Sequence, residues 1–150
     1  MRAAPIAVLL PLIAGCAGSD LVEEVRGGDV VVLGDGRVVR YAGVAAPAPG
    51  EPLFEEAREA NRTLVLGRKV TLVLAREGEN EAGEVLAFVY APVEEAGKTR
   101  FLFVQGELAL WGFVKVVRPP AASARPELDD DLARLSTVAQ ELGRGLWSPD

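Results

Sequence analysis

The chain contains no histidine and one cysteine among its 150 residues. Without histidine, Ser-His-Asp and Cys-His catalysis are excluded, and so is every imidazole-ligated metal. One cysteine excludes an internal disulfide and a thiolate zinc cage. Aromatic residues make up only 6%, which leaves little material for a base-stacking platform. Basic residues are outnumbered, 16 against 22 acidic, for a formal charge of -6. That balance argues against a broad basic surface for gripping nucleic acid. Any chemistry must come from carboxylates, arginines, hydroxyls or a hard, oxygen-bound metal. What is present is ordinary for a folded chain: 49% hydrophobic and 25% charged residues. The length suits one domain with a real core.

Met1-Arg2 precede an uncharged, mostly apolar run from Ala3 to Ala17, interrupted by Pro5 and Pro11. A spanning helix needs about 20 apolar residues, so this run is too short for one. A positive start, a brief apolar stretch and then small residues is the pattern of a secretory leader. Ile13-Ala14-Gly15-Cys16 resembles the lipobox of bacterial lipoproteins. That resemblance implies that residues 1–15 are a signal peptide and that Cys16 is acylated as the first residue of the mature chain. Residues 16–19 then form a short tether. The expected partner is a bacterial membrane, engaged through the lipid on Cys16. The expected location is the cell envelope, with the domain exported from the cytoplasm. An ordinary leader cut nearby, with Cys16 incidental, is the alternative reading.

The rest of the chain alternates strand and helix signals. Leu21 to Arg26, Asp29 to Leu33 and Arg37 to Val44 read as three strands of a meander, with Gly34-Asp35-Gly36 as a hairpin turn. After an alanine- and proline-rich loop over 45–52, Phe54, Ala57, Asn61 and Leu64 carry helical spacing within 53–66. Lys69 to Leu74, Glu84 to Tyr90 and Arg100 to Val104 are extended, and a short helix is expected over 105–111. Arg118 to Pro126 reads as a linker. The final helix is predicted over 129–142 from the stripe Leu128, Leu132, Leu135, Val138, Ala139 and Leu142. Asp129, Asp130 and Asp131 suit its positive N-terminal end. The expected class is mainly β with α (α+β): a five-stranded OB-type barrel with three helices over residues 20–147 and a tail over 148–150. Phe54, Phe88, Phe101, Phe103, Phe113, Trp111 and Trp147 sit in apolar patterns and are expected in the core, leaving Tyr41 and Tyr90 as the aromatics with a hydroxyl to expose.

Six stretches in unbroken order resemble the staphylococcal nuclease (thermonuclease-like) family. They are Arg26 to Leu33, Arg40 to Ala48, Leu66 to Val70, Ala82 to Ala87, Val104 to Val114 and Gly145-Leu146-Trp147. The resemblance implies an OB-type fold and, in active members, calcium-dependent phosphodiester hydrolysis. Such a site needs several oxygen ligands for the cation and two arginines for the phosphoryl charge.

Carried over residue by residue, Asp29 matches a metal-binding aspartate and Arg40 the first arginine. Ala45 stands where the second metal aspartate is expected. Ala46 stands for the threonine whose carbonyl joins the metal, and Ala48 for the water-positioning glutamate. Glu84 stands for the second arginine, and Gly27 for the first aspartate of the opening motif. The substitutions imply no bound metal or other cofactor, no catalytic residue and no nucleic-acid partner. A lipid-anchored binding or scaffolding module with a protein partner in the envelope is the expected function. The alternative is a calcium-dependent nuclease of DNA or RNA with a rebuilt site drawing on Asp35 or Glu51. Two pairings are open for the retained groups: Asp29 with Arg40, or Arg40 with Glu84. Arg37 and Arg76 read as surface residues rather than substitute cations.

Overall fold

The computed structural model describes residues 20–117 and 125–149. The leader, Cys16, the tether, Arg118 to Ala124 and Asp150 lie outside the described residues, so the leader and anchor expectations are not addressed by it. Among the described residues, eight strands and three α-helices follow in order.

Strands β1 (Val22–Gly27), β2 (Val30–Leu33) and β3 (Val38–Tyr41) form the expected antiparallel meander. Alternation sends Val31, Leu33, Val39 and Tyr41 inward, each no more than 1% exposed. β3 then pairs in parallel with β6 (Val85–Glu95), placing Arg40 opposite Leu86. β6 also pairs antiparallel with β5 (Thr71–Glu79) and, through its second half, with β7 (Lys98–Phe103). This makes a six-stranded sheet. A small second sheet joins β4 (Val44–Ala45) to β8 (Lys115–Val116).

The strands differ from the expected five in number and in length. The strand predicted over 37–44 is split by a turn at Ala42-Gly43, and its second piece finds β8 as a partner. The strand predicted over 84–90 runs on to Glu95, because the reversal is confined to a two-residue turn at Ala96-Gly97. The sheet does not close into a barrel. At the seam the start of β1 meets the segment before β5 through an isolated Leu21–Lys69 bridge, and Gly67 N–H donates to Val22 O at 3.0 Å. Val22 N–H donates to Arg68 O at 3.0 Å and Val70 N–H to Asp20 O at 3.1 Å.

Helix α1 (Phe54–Val65) buries Ala57, Asn61 and Val65, spaced by four, against β1. Helix α2 (Val104–Leu110) lies between the sheet and α3 (Pro126–Leu142). Pro126 opens α3 and Gly143 closes it in the left-handed conformation. The buried stripe of α3 is Leu132, Ser136 and Ala139. Leu142, expected in that stripe, is 59% exposed because the helix ends beside it and the chain turns away.

The aromatic expectations need three corrections. Phe101 lies in the exposed first part of β7, and Trp111 caps the end of α2; both are more than half exposed. Tyr41, expected to be available at the surface, is 1% exposed, because the β3 alternation points it into the core.

Candidate functional site

The turn between β1 and β2 carries Asp29, and β3 carries Arg40 beside it. A Cβ added to Gly28 would lie 2.8 Å from Ala46 Cβ and 2.9 Å from Ala57 Cβ. The turn, the 45–48 loop and α1 therefore meet at contact distance. That proximity lets Asp29 Oδ2 accept the Ala46 N–H at 3.1 Å. Asp29 Oδ1 accepts from Arg40 Nη1 at 3.3 Å. The other edge of the Arg40 guanidinium is held by Glu84: Nε donates to Oε1 and Nη2 to Oε2, both at 3.2 Å. Arg40 is thus shared by two carboxylates, one of them gripped in a bidentate fork.

Glu84 is placed by Asn80. The Asn80 side-chain oxygen accepts the Ala82 and Glu84 backbone N–H groups, and its Nδ2 donates to Glu84 Oε1 at 2.7 Å. This turn fixes the loop between β5 and β6 and aims Glu84 at Arg40. Below them, Asn61 anchors the turn from the core side. Its Nδ2 donates to Gly27 O at 2.9 Å, and its Oδ1 accepts the Tyr41 hydroxyl at 2.7 Å.

The two carboxylates sit in different surroundings. Burial is the largest influence on Asp29 and raises its pKa, against the lowering effects of the Ala46 N–H and Arg40. The hydrogen bonds from Arg40 and then Asn80 lower the pKa of Glu84. The two carboxyls are therefore moved toward each other from their ordinary values, Asp29 upward and Glu84 downward. The consequences for stability have opposite sign. Glu84 contributes stability above its unfolded pKa, which is lost as pH falls through its lower folded value. Asp29 favours the folded state below its unfolded pKa, and that contribution is lost as pH rises through its higher folded value. A carboxyl-carbon NMR titration is expected to show Asp29 titrating above the ordinary aspartate range and Glu84 below the ordinary glutamate range. A shift of either carboxyl in the opposite direction would overturn this assignment.

The staphylococcal nuclease homologue family model matches residues 38–149. The chain belongs to this family. No curated protein matches it. Within the nuclease homologue domain, β3, the Asn80–Glu84 loop, α2, α3 and the Gly145–Trp147 turn all fall inside the matched stretch, while the turn bearing Asp29 precedes it.

The fold brings Asp29, Arg40, Glu84, Ala46 and Ala48 to one pocket of about 410 Å³. Ala45 lines a neighbouring pocket with Glu51 and Lys115 instead. Glu51 does not turn to Asp29; its Oε1 accepts the Ala48 N–H at 2.7 Å within its own loop. Asp35 lies at the other end of β2 and binds Arg37 Nε at 2.8 Å, with Arg37 also reaching Asp20. Neither carboxylate is brought to Asp29.

Calcium takes six to eight oxygen ligands. Both Asp29 oxygens and both Glu84 oxygens already accept hydrogen bonds. Among the described residues no group of three acidic or thiol side chains is placed to share a metal. The residues present do not fit the ion that active family members use. Sequence reasoning missed the roles of Asn80 and Asn61. An asparagine within the buried spacing of α1 was a signal for Asn61, since a polar group there needs partners. For Asn80 the signal was Asn80-Glu81-Ala82-Gly83, a turn composition directly before a charged residue.

Proposed function

We propose that this chain is a lipid-anchored module of the bacterial cell envelope that binds or scaffolds a protein partner and does not cut phosphodiesters. One observation carries the loss of cutting. The guanidinium that would meet a phosphate is enclosed by Asp29 and Glu84. A phosphate approaching Arg40 would displace one carboxylate and face the other. At about 4 Å and an effective dielectric near 20, each such like-charge contact opposes binding by roughly 4 kcal/mol before screening. The alanines at 45 and 48 remove a metal carboxylate and the water-positioning group that the family would use. The anchor rests on the leader pattern and on Cys16 standing at its end.

The test has two arms. The full chain, given single- and double-stranded DNA and RNA at millimolar calcium, is expected to show no turnover above a protein-free control. Turnover that disappears in Asp29→Ala would overturn the inactive reading. In a bacterial host, acyl label is expected on the wild-type chain and not on Cys16→Ser. Equal labelling of both, or label on neither, removes the anchor.

A further inference from the structure

A second, larger cavity lies beside the Asp29 pocket and shares Arg40 with it. It has a volume of about 510 Å³. Its lining is apolar at Leu86 and Phe88 of β6 and at Ala42 in the turn after β3. One wall is an arm of β5. The β5–β6 register jumps from Leu74–Ala87 to Glu79–Val85, so four β5 residues oppose one on β6. Ala75 to Gly78 have no register partner on β6 and splay away from it. This irregularity opens the groove. The opposite wall is the first turn of α3, where Asp129 reaches the lining.

The rim is acidic. Glu77, Glu79, Glu81 and Asp129 line it against Arg76 and Arg40. Arg40 is already neutralised by Asp29 and Glu84. Glu77 and Glu79 are exposed. An apolar floor between acidic walls selects an occupant with an apolar side chain flanked by cations. Nucleic acid is repelled by the walls, and so is a second copy of a chain whose net charge is -6.

We infer that this groove docks an extended, basic segment of a partner protein, with an apolar side chain on the floor and Lys or Arg side chains reaching Glu77, Glu79 and Asp129. β5 pairs with β6 on one side only among the described residues. Its splayed arm offers an extended segment a strand-like wall, the geometry of strand addition. The inference rests on the binding-module reading and names the chemistry of its partner.

The probe is a labelled peptide of alternating lysine and leucine, compared with its glutamate-leucine counterpart by fluorescence anisotropy on the full chain at low salt. The lysine peptide is expected to bind and the glutamate peptide not to. An acidic protein attracts basic peptides generally, so location must be separated from charge. Glu77→Lys with Glu79→Lys is expected to weaken binding tenfold or more. Glu56→Lys with Glu59→Lys makes the same charge change on exposed positions of α1 and is expected to change affinity less than twofold. Equal loss in both double variants, or no binding of the lysine peptide, would overturn the groove. A chain that cuts DNA yet passes the peptide test removes the inactive reading alone. A chain inert toward DNA that fails the peptide test removes the groove alone.

Discussion

Replacing Gln105 with leucine is expected to cost the fold about 2–4 kcal/mol. Gln105 is 0% exposed, on the face of α2 that meets the sheet. Its Oε1 accepts the Val89 N–H at 2.9 Å. Its Nε2 donates to Ala87 O at 3.0 Å and to Ala42 O at 3.3 Å. One side chain therefore ties β6 to the turn that follows β3. Leucine fills nearly the same volume, so the cost is not that of a cavity. It falls on the partners left behind. Ala87 O keeps the Ala42 N–H at 2.9 Å, so the exposed debts are the Val89 N–H and Ala42 O. A buried group left without its partner costs about 1–3 kcal/mol. In urea unfolding the midpoint is expected to fall with the slope unchanged. A loss below about 1 kcal/mol would mean that water enters and replaces the amide. The variant should also reach the site, because Gln105 holds the β3–β6 junction that sets Arg40 against Glu84. The titrations of Asp29 and Glu84 are expected to move toward ordinary carboxylate behaviour.

The elements of this fold were legible where local pattern and tertiary context agree. Val31, Leu33, Val39 and Tyr41 alternate in sequence and alternate in burial. The α1 spacing of Ala57 and Asn61 is the spacing of its buried face. Pattern failed where pairing is decided at long range. Nothing in Lys115-Val116 announces a strand; it becomes one because Val44-Ala45 lies alongside. The open seam was equally hidden, because a single bridge between Leu21 and Lys69 depends on how far the sheet curls.

The site divides in the same way. The residue types at 29, 40, 45, 48 and 84 were readable from order and spacing within the family resemblance. Of the two pairings that spacing left open for Arg40, the geometry contains both. Asp29 approaches one edge of the guanidinium and Glu84 the other, because β3 lies between the β1–β2 turn and the start of β6. The groove beside them was not legible at all. It exists because four β5 residues oppose one on β6, and a sequence shows no register.

Replacing Gly112 with alanine is expected to cost about 3–5 kcal/mol, through two effects that add at one atom. The residue ends α2 at φ +81°, a conformation that side chains resist. A Cβ there would also lie 2.7 Å from the Arg144 carbonyl carbon and closer still to its oxygen. Those atoms are backbone and have no flexible end to yield. They belong to the segment that brings the C-terminal turn Gly145–Trp147 against α2, where Leu146 N–H donates to Gly112 O at 2.8 Å. Arg144 adds a bond from Nη1 to Leu110 O at 3.1 Å and lies 4.8 Å over the Trp111 ring. Gly36 supplies the control. It has φ +92°, and an added Cβ there meets nothing within 4 Å. Gly36→Ala therefore carries the backbone strain without the collision, about 1–2 kcal/mol. The difference between the two variants isolates the close approach, and thermal unfolding reads it as a drop in Tm several degrees larger for Gly112→Ala. Equal losses would mean that the turn releases instead of colliding. Hydrogen exchange separates the cases, because release would expose the Leu146 amide while the rest of the sheet stays protected.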